Sequence, residues 1–192
     1  MASIKGIKLT AVQSHPGMEG MTLFAKVNMD GKVVGFVRDD AYGGPWDIEL
    51  STEVRQEILR RYREYIVENR IVDECKTMDM TEEEVAAGLA AGTLPLLDTD
   101  DRYVDPLELF FSEVAQLADY EKTYKKQIKN GYAGIGVVEY IHHRGAKPVD
   151  GIYGLKSRHR LLMGQLLDDA ASKKSKAFRV RMFLDPEDFI IR

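Results

Sequence analysis

Met29-Asp30-Gly31-Lys32 limits what this chain can fold into more than any other stretch. Asp-Gly at the centre of a two-residue hairpin suits the type I′ turn, where both central residues take positive φ and the twist matches the flanking strands. A turn of that length fixes register. It predicts Met29 opposite Lys32, Val27 opposite Val34, Ala25 opposite Phe36 and Leu23 opposite Arg38. One face of the ribbon is then Leu23, Ala25, Val27, Val34 and Phe36, which other elements must cover. A preceding strand is predicted from about Ile4 to Val12, with Ile7, Leu9 and Ala11 on one side and a turn at Ser14-His15-Pro16-Gly17. The hairpin ends near Arg38-Asp39-Asp40. The Gly pair and Pro of Ala41-Tyr42-Gly43-Gly44-Pro45-Trp46-Asp47 then allow neither strand nor helix.

Helical periodicity follows. Ser51 is a predicted N-cap for a helix whose apolar stripe is Val54, Ile58, Leu59, Tyr62, Tyr65 and Ile66. Thr81-Glu82-Glu83-Glu84 reads as a capping box opening a short helix that ends at Gly92. Asp105 caps a longer helix, with Pro106 at its first position and Glu108 three residues after the cap. Its stripe is Leu107, Phe110, Phe111, Val114, Leu117 and Ala118. Lys122, Lys125, Lys126 and Lys129 load its C-terminal turns, where the macrodipole favours cations, and Gly131 can close it. A strand is predicted over 135–141. A helix carrying Leu161, Leu162, Leu166, Leu167 and Ala170 follows, starting at about Ser157. Phe178-Arg179-Val180-Arg181-Met182 alternates strictly, the pattern of a half-buried strand with its arginines on the wet face.

The fold class expected is α+β: an N-terminal antiparallel β-meander packed with helices, then a mixed helix and strand C-terminal half. The organisation expected is a meander with its first helix over 1–72, an acidic insertion or lid over 73–105, and the long helix with the C-terminal elements over 106–192; one compact domain overall stays open. At 192 residues, 44% hydrophobic and 30% charged, the chain is an ordinary globular one. No apolar run approaches the roughly 20 residues that span a bilayer, so no membrane role is expected. The N-terminal residues lack the apolar stretch of a signal peptide, and Cys75 is the single cysteine. Both features point to a reducing cytoplasm. A net charge of −4 gives no global attraction to nucleic acid.

Several constellations invite a chemical reading, and each has a plainer one. Asp98, Asp100, Asp101 and Asp105 suggest a calcium loop, but no Gly stands at its tight turn and no Glu closes it. His142 and His143 with Glu139 and His159 could bind a metal, yet adjacent strand residues point to opposite faces. Gly131, Gly134 and Gly136 follow a helix and enter a strand, the reverse of a phosphate loop, so they fit a helix end and a thin strand against a bulky neighbour. Nothing around Cys75 supplies a thiolate-stabilising elbow. No cofactor or metal is therefore expected. What remains is surface. Arg38, Asp39, Asp40, Tyr42 and Trp46 have the composition of a recognition loop. Lys122, Lys125, Lys126 and Lys129 with Arg179 and Arg181 form a locally basic half that suits an acidic protein or a phosphate backbone. An edge strand of the meander could also pair across a two-fold axis.

The N-terminal quarter resembles small uncharacterised proteins of phages, plasmids and other bacterial mobile elements. The resemblance lies in Ile7-Lys8-Leu9, in Asp30-Gly31-Lys32-Val33-Val34-Gly35 and in Gly43-Gly44-Pro45. It implies a bacterial host cytoplasm and a role as a non-enzymatic inhibitor of host defence, such as an anti-CRISPR protein, that occupies the surface of a protein or nucleoprotein partner. It transfers no catalytic residue. Two alternatives are a metal-assisted enzyme acting on nucleic acid or nucleotides through Asp98, Asp100, Asp101, His142 and His159, and a nucleic-acid-binding accessory protein using the basic half.

Overall fold

The computed structural model describes residues 1–18, 20–69, 81–91, 105–140, 151–173 and 178–192. The fold is α+β, as the sequence predicts. The chain forms two compact units, Met1–Ala118 with Ile190–Arg192, and Asp119–Phe189.

The first unit holds a six-stranded sheet of order β5-β4-β3-β2-β1-β9. Its strands are β1 (Ser3–Ile4), β2 (Ile7–Gln13), β3 (Leu23–Met29), β4 (Lys32–Asp39), β5 (Asp47–Leu50) and, from the C-terminus, β9 (Ile190–Ile191). The Asp30-Gly31 turn forms as predicted, with φ of 51° and 88° and Met29 opposite Lys32. A second two-residue turn at Lys5-Gly6, with φ of 50° and 76°, splits the expected first strand into β1 and β2. Ala11, predicted to face inward, instead takes φ 51° at an irregularity between Thr10 and Gln13 and is exposed.

Of the four predicted hairpin pairs only Met29–Lys32 forms. Asn28 lies opposite Val33 and Val27 opposite Gly35, so Val34 is an extra residue in β4. Such a bulge reverses the alternation of everything beyond it. Ala25 consequently faces Val37, not Phe36, and the buried face is Ala25, Val27 and Val37. Phe36 turns outward to stack on Phe24, ring centroids 6.0 Å apart. Gly35 sits where β5 crosses closely: a Cβ there would overlap the Glu49 carbonyl oxygen. Phe36 also pairs with Glu49 and Arg38 with Asp47 across the β4–β5 ladder, a strand the sequence did not reveal.

Helices supply the rest of this core. Ser51 caps α1 (Thr52–Asn69), its Oγ accepting the Val54 N–H at 3.4 Å, and Ile58, Tyr62, Tyr65 and Ile66 are buried. The capping box opens α2 (Glu82–Ala91): Glu84 accepts the Thr81 N–H at 2.9 Å and Thr81 Oγ1 accepts the Glu84 N–H at 3.3 Å. Asp105 caps α3 (Pro106–Lys129) by accepting the Leu107 N–H at 2.9 Å. Glu108 does not complete a box there; it accepts the Trp46 backbone N–H at 2.9 Å and so ties the 41–46 segment to α3. Leu107, Phe110, Phe111, Val114 and Leu117 are buried as predicted, with Tyr62 against Phe110 at 5.0 Å. Arg61 of α1 bridges both hairpin turns, donating to the Lys5 carbonyl at 2.9 Å and to both Asp30 oxygens at 2.9 and 2.6 Å.

The second unit packs the last turns of α3 and α4 (Arg160–Ser172) with the sheet β7-β6-β8, formed by β6 (Gly134–Tyr140), β7 (Gly151–Leu155) and β8 (Phe178–Phe183). A Schellman end closes α3, the Tyr132 N–H reaching the Gln127 carbonyl at 3.1 Å and the Gly131 N–H reaching that of Ile128 at 3.0 Å. α4 begins later than predicted: His159, not Ser157, is the cap, its Nδ1 accepting the Leu162 N–H at 3.2 Å. The predicted leucine stripe is only partly inside. Leu167 and Ala171 are buried with Val138 and Leu155, whereas Leu161, Leu162 and Leu166 are exposed. Gly136 is thin for the reason expected, since a Cβ would meet the Leu167 side chain. Asp185-Pro186 ends β8, and a 3₁₀ turn over Pro186–Phe189 brings Phe189 onto Phe183 at 4.4 Å.

Two measurements test this frame. Gly35→Ala should destabilise the fold, because backbone rather than a pliable side chain fills the space, whereas Gly44→Ala, in open space, should not; urea denaturation of both variants checks this. Acid should also loosen the first unit. Hydrogen bonds from Arg60 and then Arg61 hold the Glu57 carboxyl down at about 2, against an ordinary 4.5, and Arg61 lowers that of Asp30. A lowered carboxylate pKa adds stability that is present above 4.5 and is lost as the pH falls towards about 2. Burial raises the Glu108 carboxyl, which works in the opposite sense and offsets part of the loss. Thermal midpoints should therefore fall across that window, and Glu57→Gln should flatten the slope.

Candidate partner-docking surface

The end of the first sheet furthest from the Asp30-Gly31 turn gathers most of the predicted recognition residues. Past Gln13 and Phe24, the β2–β3 ribbon continues to a bridge between Pro16 and Met21. The Thr22 N–H donates to the His15 carbonyl at 2.8 Å, and Thr22 Oγ1 both accepts the His15 N–H and donates to that carbonyl, at 3.0 Å each. Beside this tip, two Asx turns shape the 39–42 segment. Asp39 Oδ1 accepts the Ala41 N–H at 2.8 Å and Asp40 Oδ1 accepts the Tyr42 N–H at 3.2 Å. Ala41 takes φ 56° and is buried, which swings Tyr42 out to 64% exposure.

Between tip and segment lies a pocket of about 220 Å³. Arg38, Asp39, Asp40 and Tyr42 of the expected recognition loop line it, and Gln13, His15 and Phe24 join them. Among the described residues neither the Arg38 guanidinium nor the His15 imidazole has a hydrogen-bond or ion-pair partner. Trp46 does not line the pocket; it is half-buried and anchored through its backbone to Glu108. Sequence reasoning missed the exposed apolar side chains near this end of the sheet. Met18 is 81% exposed, and Met21, Phe24 and Phe36 are exposed too. For Phe36 the missing signal was the Val34 bulge. Met18 and Met21 sit in a turn that hydrophobic periodicity does not describe.

The basic residues belong to the second unit, and several are already engaged. Lys122 lies 3.8 Å from Asp119, and Lys125 lies 2.7 Å from the buried Glu121. Lys126 and Lys129 are exposed in the last turn of α3, where they complement its dipole. Arg179 and Arg181 do not stand on a wet face. They flank Glu139, which is 8% exposed: Arg179 donates through Nε, Arg181 approaches at 3.4 Å, and the Tyr120 hydroxyl adds a contact at 3.4 Å. Arg181 also lies 5.0 Å over the Phe183 ring. The helix half bearing Tyr120 covers this face, so strict alternation marked a strand but not which face met water.

Cys75, Asp98, Asp100, Asp101, His142 and His143 lie outside the described residues. His159 holds its helix cap, and among the described residues no three metal-ligating side chains cluster. Nor, among them, is any helix long and apolar enough to cross a membrane. Comparison with protein-family models, with curated proteins and with solved structures finds no match.

The Glu139 cluster makes a sharp prediction. Glu139→Gln leaves two guanidiniums near each other without their shared counter-charge, and should cost about 3 kcal/mol in urea denaturation. Lys122→Gln, at an exposed pair, should change stability by less than about 0.5 kcal/mol.

Proposed function

We propose that this protein acts by docking onto a macromolecular partner, a protein, through the pocketed end of its first unit. One observation carries the reading: exposed Phe24 and Tyr42 line a recess that also holds an uncommitted arginine, with exposed Met21 next in sequence to its Thr22 wall and exposed Phe36 stacked on Phe24. Aromatic residues, methionine and arginine are the types enriched in interface cores and among hot spots. Scattered exposed hydrophobics need no explanation, but a group of this kind around a recess does. The likeness of the N-terminal quarter to mobile-element proteins suggests, within this proposal, a partner in a bacterial defence complex and inhibition as the result.

A nucleic-acid role for the basic half has less behind it, because Arg179 and Arg181 are spent on Glu139 and two of the lysines on acidic neighbours. A metal-assisted reaction has no support among the described residues, where His159 serves as a cap.

Affinity capture from bacterial lysate, compared across variants, tests the proposal. A specific protein held by the natural chain should be lost, with affinity down by about tenfold or more, in Phe24→Ala combined with Tyr42→Ala. Lys126→Ala with Lys129→Ala should retain it. The opposite pattern, or capture indifferent to both, overturns the reading.

A further inference from the structure

The pocket's charges are not equivalent. Asp39 and Asp40 each spend a carboxylate oxygen on a backbone N–H, so both have a structural task in shaping the 39–42 segment. Arg38 has none. It stands on the outward face opposite Phe24, with Asp47 opposite it on the other side, and it forms no ion pair with that aspartate. Five N–H donors in a planar fork are thus held beside the pocket with no ion-pair partner among the described residues, and the His15 imidazole adds another uncommitted group to the same recess. A guanidinium in this setting matches a carboxylate, which it can bind through two parallel hydrogen bonds.

Size narrows the occupant. About 220 Å³ falls below the roughly 300–1,000 Å³ of clefts that enclose small-molecule ligands, so the recess fits a single side chain presented by something larger. Charge narrows it again. Asp39, Asp40, Asp47 and Glu49 border the same end of the sheet and would repel a polyanionic backbone running past them. One acidic side chain carries a single charge past them, and the Arg38 fork answers it directly. The exposed rings of Phe24 and Tyr42 then require apolar neighbours on either side of that acid.

We infer that the pocket receives the carboxylate of an acidic side chain from an apolar segment of the partner protein, with Arg38 as its bidentate anchor. The inference rests on the docking role proposed above and specifies the partner's chemistry there.

The test needs no knowledge of the partner. Amide resonances of the isotope-labelled full chain are followed while an acetylated, amidated Leu-Glu-Leu peptide is added, then its Leu-Gln-Leu and Leu-Lys-Leu counterparts and a single-stranded oligothymidylate. The glutamate peptide should shift amides around Gln13–His15, Thr22–Phe24 and Arg38–Tyr42. Its affinity should exceed that of the glutamine peptide by at least about tenfold, the scale of a hydrogen bond to a charged group. Arg38→Gln should abolish that preference and Arg38→Lys restore only part of it, both with unchanged thermal midpoints because the side chain makes no bond within the fold. Equal binding of the glutamine peptide, tighter binding of the lysine peptide or the oligothymidylate, or no shift at these amides overturns the inference. If lysate capture still depends on Phe24 and Tyr42 in that case, the docking role stands and only the acidic anchor falls.

Discussion

A single extra residue, Val34, decides what this molecule shows to its surroundings. The Asp30-Gly31 turn sets the hairpin in one register, and the bulge resets it a few residues later. Before the bulge, alternation from the turn would bury Phe36 and expose Val37; after it, Val37 is buried and Phe36 joins Phe24 outside. The same shift puts Arg38 opposite Phe24 on the outward face and Asp39 at the inward position where its carboxylate can turn the following segment. Gly35 allows β5 to approach the bulged strand, and β5 then carries Asp47 and Glu49 to the border of that face. Sheet core and candidate docking surface are thus two sides of one register choice.

The arginines of the two units show what separates a structural charge from an available one. Arg179 and Arg181 lie on a sheet face that a helix covers, and a shared glutamate is what makes that burial tolerable. Arg61 is spent likewise, clamping two hairpin turns through Asp30 and the Lys5 carbonyl. Arg38 lies exposed on the outward side of its strand. Its neighbours of opposite sign answer to backbone amides or stand out of reach. Composition alone ranks these arginines together, and only their surroundings divide them.

Local chemistry made much of the fold legible in the sequence. Asp-Gly, the Ser51 and Asp105 caps, the Thr81–Glu84 box and the apolar stripes of α1 and α3 each depend on residues within one or two turns. The misses involve longer reach. Lys5-Gly6 carries no turn signal because lysine, unlike asparagine or aspartate, is not enriched at positive φ, yet pairing of β1 with both β2 and β9 holds it in the I′ geometry. Glu108 looked like half of a capping box until the Trp46 amide, 62 residues away, claimed it. In α4 the leucines are numerous, but the small sheet beneath fully buries only Leu167 and Ala171, with Met163 packed partly against them. Within the candidate surface, residue types identified Arg38, Asp39, Asp40 and Tyr42, while His15 and Phe24 needed the tertiary fold to bring them alongside.

Preorganisation is what allows so small a recess to matter. Binding has to overcome the ordering of side chains and loops, and rigid partners lose less than mobile ones. Here the ordering is largely done by the fold. Two Asx turns and the left-handed Ala41 fix the segment that presents Tyr42, and the Glu108–Trp46 hydrogen bond secures its far end to α3. The paired hydrogen bonds between His15 and Thr22 fix the opposite wall. Phe24 is held by the ladder and by its stack on Phe36. Arg38 alone keeps long-chain freedom, and a bidentate pair spends that freedom once for two charge-assisted bonds. On the acidic-anchor proposal, the border disfavours an extended polyanion more than a single carboxylate, because repulsion accumulates with every charge brought past it.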